Sequence, residues 1–365
     1  MHIYINEPTR QLIEGIQEQI AKNIDLSQNP KVLDAFAALQ RACTQVNSFV
    51  EFIETYSAKP TFPDFSSEEI TLIELYLLTR VLSTYAAIPL LVAQLNLNGE
   101  LDAVSRINSN AIDEGGGKGF PSHHELLVNS LTIVAKSLKA LSVSTKLLVS
   151  AIRITEVLQD SEKYCLDEEV LWDRLQNDTQ YIPIERYELQ SAISISRLLN
   201  ENMLRYHRHI QNTLLQPVMH NPTNKRLLGV AALELAKREA ESVNESDRKL
   251  SFIGSWEKLT RSYKSQIPDD YYTQANAWAK AHNDEEEAKL AGWHDKSAED
   301  GHARDARIVA MHFLSKLNPM EFTSVLEQVT VNANLRLSHW NSLVAELNSM
   351  KHIHKNIDSL ASLLK

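Results

Sequence analysis

The chain has 365 residues, 43% of them hydrophobic and 23% charged, a composition that suits a folded protein with one large core or two modest ones. Ten glycines and eleven prolines are few for a β architecture with many tight turns, and a formal charge of −10 argues against nucleic acid or anionic membrane as partners, because phosphate contacts need clustered Lys and Arg. Two cysteines, Cys43 and Cys165, form neither a zinc spacing nor a disulfide framework and point to a reducing cytoplasm.

Helical periodicity runs through the chain, so the expected fold class is all-α. Leu12/Ile13, Ile16, Ile20 and Ile24 step by three and four, as do Val32/Leu33, Phe36, Leu39, Cys43, Val46, Val50 and Ile53. Pro60 and Pro63 mark a linker, and Ser66-Ser67-Glu68-Glu69 reads as a capped helix start, with Pro89 kinking or ending the helix that follows. The N-terminus lacks the basic-then-apolar pattern of a signal peptide. The best apolar run, residues 88–97, is about half the length that a membrane helix needs and includes Gln94 and Asn96, so no membrane partner is expected. A helix over 100–114 stops at Gly115-Gly116-Gly117, and another starts near Pro121-Ser122 with Leu127, Leu131, Val134, Leu138 and Leu141 on one stripe. Further helices are predicted over 144–160, 166–177, 185–216, 224–246, 248–265, 269–291, 294–317 and 319–348, with Pro217, Pro222, Pro268 and Pro319 near their boundaries. Tyr206-His207-Arg208-His209 reads as a surface cluster, His352 and His354 as part of a solvated tail, and the acidic run 284–287 as a solvated helix face.

The stretch from Asn108 to Leu127 is the most informative. On a helix Ile107, Ala111 and Glu114 share a face, which sets a carboxylate on an apolar stripe, where it needs a cation, a donor or a metal. A glycine turn then leads into a helix that opens with His123 and His124, offset from its apolar stripe by roughly 40° and 60°, so that either can face inward. A carboxylate and an imidazole converging across a tight helix–turn–helix suit Fe²⁺, Mn²⁺ or Zn²⁺. The plainer alternative is a helix-terminal acid, a glycine C-cap and two histidines at a helix start. No strand precedes the three glycines, and no phosphate-loop pattern surrounds them.

This stretch, Asn110-x-x-Asp113-Glu114-Gly115-Gly116-Gly117-Lys118-Gly119 with a histidine and a leucine pair after it, resembles the haem-oxygenase-like di-iron oxidases and oxygenases, also called iron-containing redox enzymes. The resemblance covers about residues 70–316. It implies a haem-oxygenase-like helical bundle without haem, flanked here by extra N- and C-terminal helices, giving segments 1–60, 64–317 and 319–365. It also implies that Glu114 and one of His123 or His124 ligate iron. Downstream, Glu234 shares a helix face with Leu227, Val230 and Ala231 and resembles the family's later glutamate; an internal salt bridge to Arg238 or Lys237 is the alternative. The family's His-x-x-x-Asp-x-x-His pattern falls in register on Asp295, Glu299 and His302, with His294 one residue out of phase.

One departure stands out. Thr84-Tyr85-Ala86-Ala87-Ile88-Pro89 carries no acid where the family has its first glutamate, and Glu74 is the nearest upstream carboxylate. The expectation that follows from the resemblance is an oxidoreductase with one or two Fe²⁺ ions, or Mn²⁺. It would act with O₂ on a small amphiphilic substrate (an amino acid, an amine or a fatty-acid-like chain), in natural-product metabolism. The oligomeric state stays open in the sequence, with the extra helices as the candidate surface for a homodimer. The alternative is a non-catalytic helical binding protein with a degenerate metal site.

Overall fold

The structure is a computed structural model that describes residues 5–45, 48–57, 65–115, 122–137, 139–158, 160–165, 167–177, 184–242, 273–274, 277 and 301–363. All regular structure among the described residues is helical. In chain order the longer elements are α1 (Glu7–Asn23), α2 (Lys31–Thr44), α3 (Ser48–Ser57), α4 (Ser67–Leu97), α5 (Leu101–Gly115), α6 (His123–Ser137) and α7 (Thr145–Val157). They continue with α8 (Asp160–Cys165), α9 (Glu168–Gln176), α10 (Leu189–Leu198), α11 (Glu201–Ile210), α12 (Gln216–His220), α13 (Lys225–Ser242), α14 (His302–Leu314) and α15 (Pro319–Leu363).

Local signals explain many boundaries. Ser66 makes a full capping box with Glu69, and Asn6, Ser144, Asp167 and Asn200 each accept a hydrogen bond from a backbone N–H in the first turn of α1, α7, α9 and α11. The Asn200 cap divides the predicted 185–216 helix, and a five-residue π turn at Gln211–Leu215 links α11 to α12, which runs past Pro217 to His220. Of the two outcomes open at Pro89, a kink or an end, the end is not observed, since α4 continues to Leu97. The proline removes one helical hydrogen bond, yet Ile88, Leu91 and Leu95 bury completely on either side of it and hold the helix together. As one helix, α4 is long and apolar enough to cross a membrane by length and composition, which corrects the shorter run expected there; most of its apolar window is buried against other helices. His352 and His354, expected in a tail beyond the helix over 319–348, lie within α15.

Two large apolar cores form. The first joins α1, α2, the end of α4, α5, α13, α14 and the start of α15; the second joins α3, the start of α4, α6, α7 and the later part of α15. A smaller cluster packs α7, α9 and α10. Both long helices pass through both large cores. Along α4, Ile70–Leu82 serve the second core and Ile88–Leu95 the first; along α15, Phe322–Val329 serve the first and Trp340–Leu347 the second. The stretches between are polar and buried: Ser83 on α4, and Thr330, Asn332, Arg336 and His339 on α15.

Candidate functional site

That polar level is a waist where α4, α11, α13 and α15 meet, and Glu234 stands in it at 2% exposure. Its Oε1 accepts hydrogen bonds from Arg336 Nη1 (2.7 Å), Arg238 Nε (3.2 Å) and Tyr206 Oη (3.4 Å). Arg238 also donates to Tyr206 Oη at 2.6 Å, Arg336 Nη2 donates to Glu241 at 3.0 Å, and Lys237 pairs with Glu241. Burial on its own would raise the pKa of Glu234, but Arg336, Arg238 and Lys237 outweigh it and keep the carboxylate ionised, its pKa well below the ordinary range. Arg80 of α4 is pushed down to about 10 by burial and by repulsion from Arg238 and Arg336. The salt bridge to Arg238, one of the two readings of Glu234 open in the sequence, is therefore present, and a second guanidinium from α15 reinforces it.

Tyr206-His207-Arg208-His209, expected at the surface, largely turns inward. Tyr206 is 1% exposed, burial pushes His207 down to about 4, and His209 Nε2 lies 3.0 Å from Asn332 Oδ1. Met203, Leu204, Tyr206 and Ile210 form the buried side of α11, and its packing on α15 carries the neighbouring histidines inward once Asn200 has capped the helix.

The other candidate ligands sit elsewhere. Glu114 lies in the last turn of α5 and His123 opens α6; their side chains are not among those described. His124 is buried and shares a short hydrogen bond with Thr145 Oγ1 at the start of α7. Asp295 and Glu299 fall outside the described residues. His302 is the first residue of α14, after Gly301, and its Nδ1 is 4.0 Å from Glu239 Oε2 on α13, with both side chains largely buried.

Helix directions bring some of these positions together. His312 and Lys316 of α14 bind Glu100 at the start of α5 (2.9 and 2.5 Å), while Asp305 pairs with Arg106 further along it (3.4 Å). The two helices are thus antiparallel, and the end of α5 that carries Glu114 lies toward the His302 end of α14. Helix α13 is antiparallel to α14 as well, with Gly229 against Leu317 at one end and Glu239 opposite His302 at the other. Glu239 and His302 therefore meet at one end of the α13–α14 pair, and the end of α5 that carries Glu114 points the same way. Glu234 faces the waist instead. Among the described residues, no three His, Cys, Asp or Glu side chains stand close enough to hold a metal ion.

A small enclosed cavity adjoins the waist, lined by Ala87, Ile88 and Leu91 of α4, Leu214 of the π turn, and Ala231, Glu234, Leu235 and Arg238 of α13. It touches both helical irregularities, the proline turn of α4 and the π turn. A more open groove of about 350 Å³ lies between the α4–α5 turn and α14.

Sequence reasoning missed Arg336, Tyr206 and Glu239. Arg336 had a legible signal: it continues the apolar stripe Val329, Ala333, Trp340, Leu343 and Leu347, so a charge there had to be buried. Glu239 had none, because its meeting with His302 depends on how α14 packs on α13. No family model, curated protein or solved structure matches the chain. Fold and site define an all-α protein with a buried ion-pair waist and a separate carboxylate–imidazole meeting point at one helix end.

Proposed function

We propose that the protein is a non-haem iron-dependent oxidase or oxygenase on a haem-oxygenase-like helical bundle, acting with O₂ on a small amphiphilic substrate. The observation that supports this reading best is the end of α13 and α14 where His302 stands 4.0 Å from Glu239, with the end of α5 that carries Glu114 pointing the same way. Glu114 and His302 would hold the ion with an imidazole from the start of α6, and the resemblance adds Asp295 and Glu299. Bound iron would supply O₂ activation at open coordination positions. The protein's own contribution is to fix the donor-bearing helices against one another. In this reading Glu234 is assigned to ion pairing and not to the metal.

The capture of Glu234 by two guanidiniums favours a second reading, a helical binding protein whose metal site has degenerated. Elemental analysis decides between them. Protein loaded with Fe²⁺ under reducing conditions is expected to retain stoichiometric iron, and Glu114→Ala and His302→Ala to lose most of it. Wild-type protein without iron would establish the second reading.

A further inference from the structure

We propose that Asn98–Gly99, at the turn between α4 and α5, is a latch that deamidation releases irreversibly. It is the one Asn–Gly pair in the sequence. An asparagine amide is lost most readily before glycine, because no Cβ on the following residue hinders that residue's backbone nitrogen.

In the fold that amide is in use. Asn98 Nδ2 donates to Gln94 O in the last turn of α4 and to Pro222 O in the turn between α12 and α13, both at 2.8 Å. The second bond joins segments 124 residues apart in the chain. Beside it, Glu100 binds His312 and Lys316 of α14, so three separate segments meet at this turn. Gly99 and Glu100 also line the open groove next to α14.

The same geometry withholds the amide from its own backbone. Cyclisation needs Gly99 N in front of Asn98 Cγ, in a five-membered ring that eclipses this nitrogen with Cβ. Asn98 has ψ 0°, which eclipses Gly99 N with the Asn98 nitrogen instead, about a third of a turn away. Gly99 N–H is meanwhile held by Asn96 O at 3.0 Å. Once the turn opens, Gly99 N attacks Cγ, its proton leaves with Nδ2 as ammonia, and a succinimide closes. Water then opens the ring at either carbonyl to give aspartate or isoaspartate. The net change is amide plus water to carboxylate plus ammonium, with nothing oxidised or reduced. In the aspartate product an oxygen replaces the donor nitrogen and faces two carbonyl oxygens, so the latch does not close again.

The test is ageing of the full chain in mildly alkaline buffer, folded and unfolded in urea, with peptide mass spectrometry locating the deamidated residue. Asn98 is expected to be the fastest asparagine to react in urea, and to react roughly tenfold or more slowly in the folded protein, where the turn must first open. Asn98→Asp, the direct product, should lower the hydrogen-exchange protection of the Gly99 and Glu100 amides roughly tenfold at neutral pH. Protection should return below about pH 4, where the carboxyl is protonated and can donate again. Equal rates of Asn98 loss in the folded and unfolded chain, or no preference for Asn98 in urea, would overturn the proposal. So would wild-type protection in Asn98→Asp at neutral pH, which would show that the amide does not hold the turn.

Discussion

Glu74 and Glu234 are 1% and 2% exposed, yet they meet opposite electrostatic surroundings. Glu234 has two guanidiniums from different helices and stays ionised. Among the described residues neither carboxylate oxygen of Glu74 has a hydrogen-bond partner, and burial raises its pKa well above the ordinary 4.5. The sign of its linkage follows. Below about pH 4.5 the group is protonated whether the chain is folded or not, and it contributes no pH dependence. Above that value the unfolded chain releases the proton and the folded one keeps it, so stability falls by up to about 1.4 kcal/mol per pH unit until the raised folded value is passed. Glu74→Met, of similar length and apolar, is expected to remove that slope and to stabilise the protein at pH 8 by roughly 1–3 kcal/mol. Urea melts at several pH values measure this. A variant that keeps the slope and loses stability would mean that Glu74 is ionised in the fold and paired.

At the scale of elements, the helices were legible where a cap and an apolar stripe coincided. Ser66, Ser144 and the stripes of α1, α6 and α7 are examples, because capping and periodicity are properties of neighbours along the chain. The continuation of α4 past Pro89 was not legible, since it depends on contacts made by Ile88, Leu91 and Leu95 with helices distant in sequence. For the same reason Glu114 and His302 could be singled out as residue types in a pattern, but not the meeting of His302 with Glu239, which needs the antiparallel packing of α13 and α14. The turn between α4 and α5 gives a direct test of local control. Gly99 has φ +71°, Glu100 N donates to Leu95 O at 3.0 Å and Gly99 N to Asn96 O at 3.0 Å, the paired bonds of a left-handed helix stop. A Cβ there would meet nothing within 4 Å, so Gly99→Ala isolates backbone strain and should lower stability by about 1–2 kcal/mol. Gly301→Ala, also in open space but at negative φ, is the control expected to be near neutral. Equal midpoints for the two variants in denaturant would show that the left-handed conformation is not what sets this turn.

At the scale of the whole molecule, the waist decides how the two cores relate. A buried polar level between two apolar clusters looks like a natural place for the molecule to come apart, because buried ion pairs add little net stability compared with apolar packing. The helices argue the other way. α4 and α15 each contribute buried side chains to both cores, so neither core can lose its packing without stripping a wall from the other. The waist charges strengthen that dependence: if α15 leaves, Arg336 takes its charge from Glu234 and Glu241, and breaking such a pair by removing one partner costs on the order of 3–5 kcal/mol. The terminal helices join the same arrangement, with Leu12, Ile16 and Leu39 buried in the first core and Trp340 and Leu347 in the second. The expected behaviour is a single cooperative thermal transition, with the calorimetric enthalpy equal to the van't Hoff value. Arg336→Ala should move that transition to lower temperature as a unit, without splitting it. Two resolved transitions in the wild type, or a second one appearing in Arg336→Ala, would show that the long helices break at the waist and that the cores unfold as separate bodies.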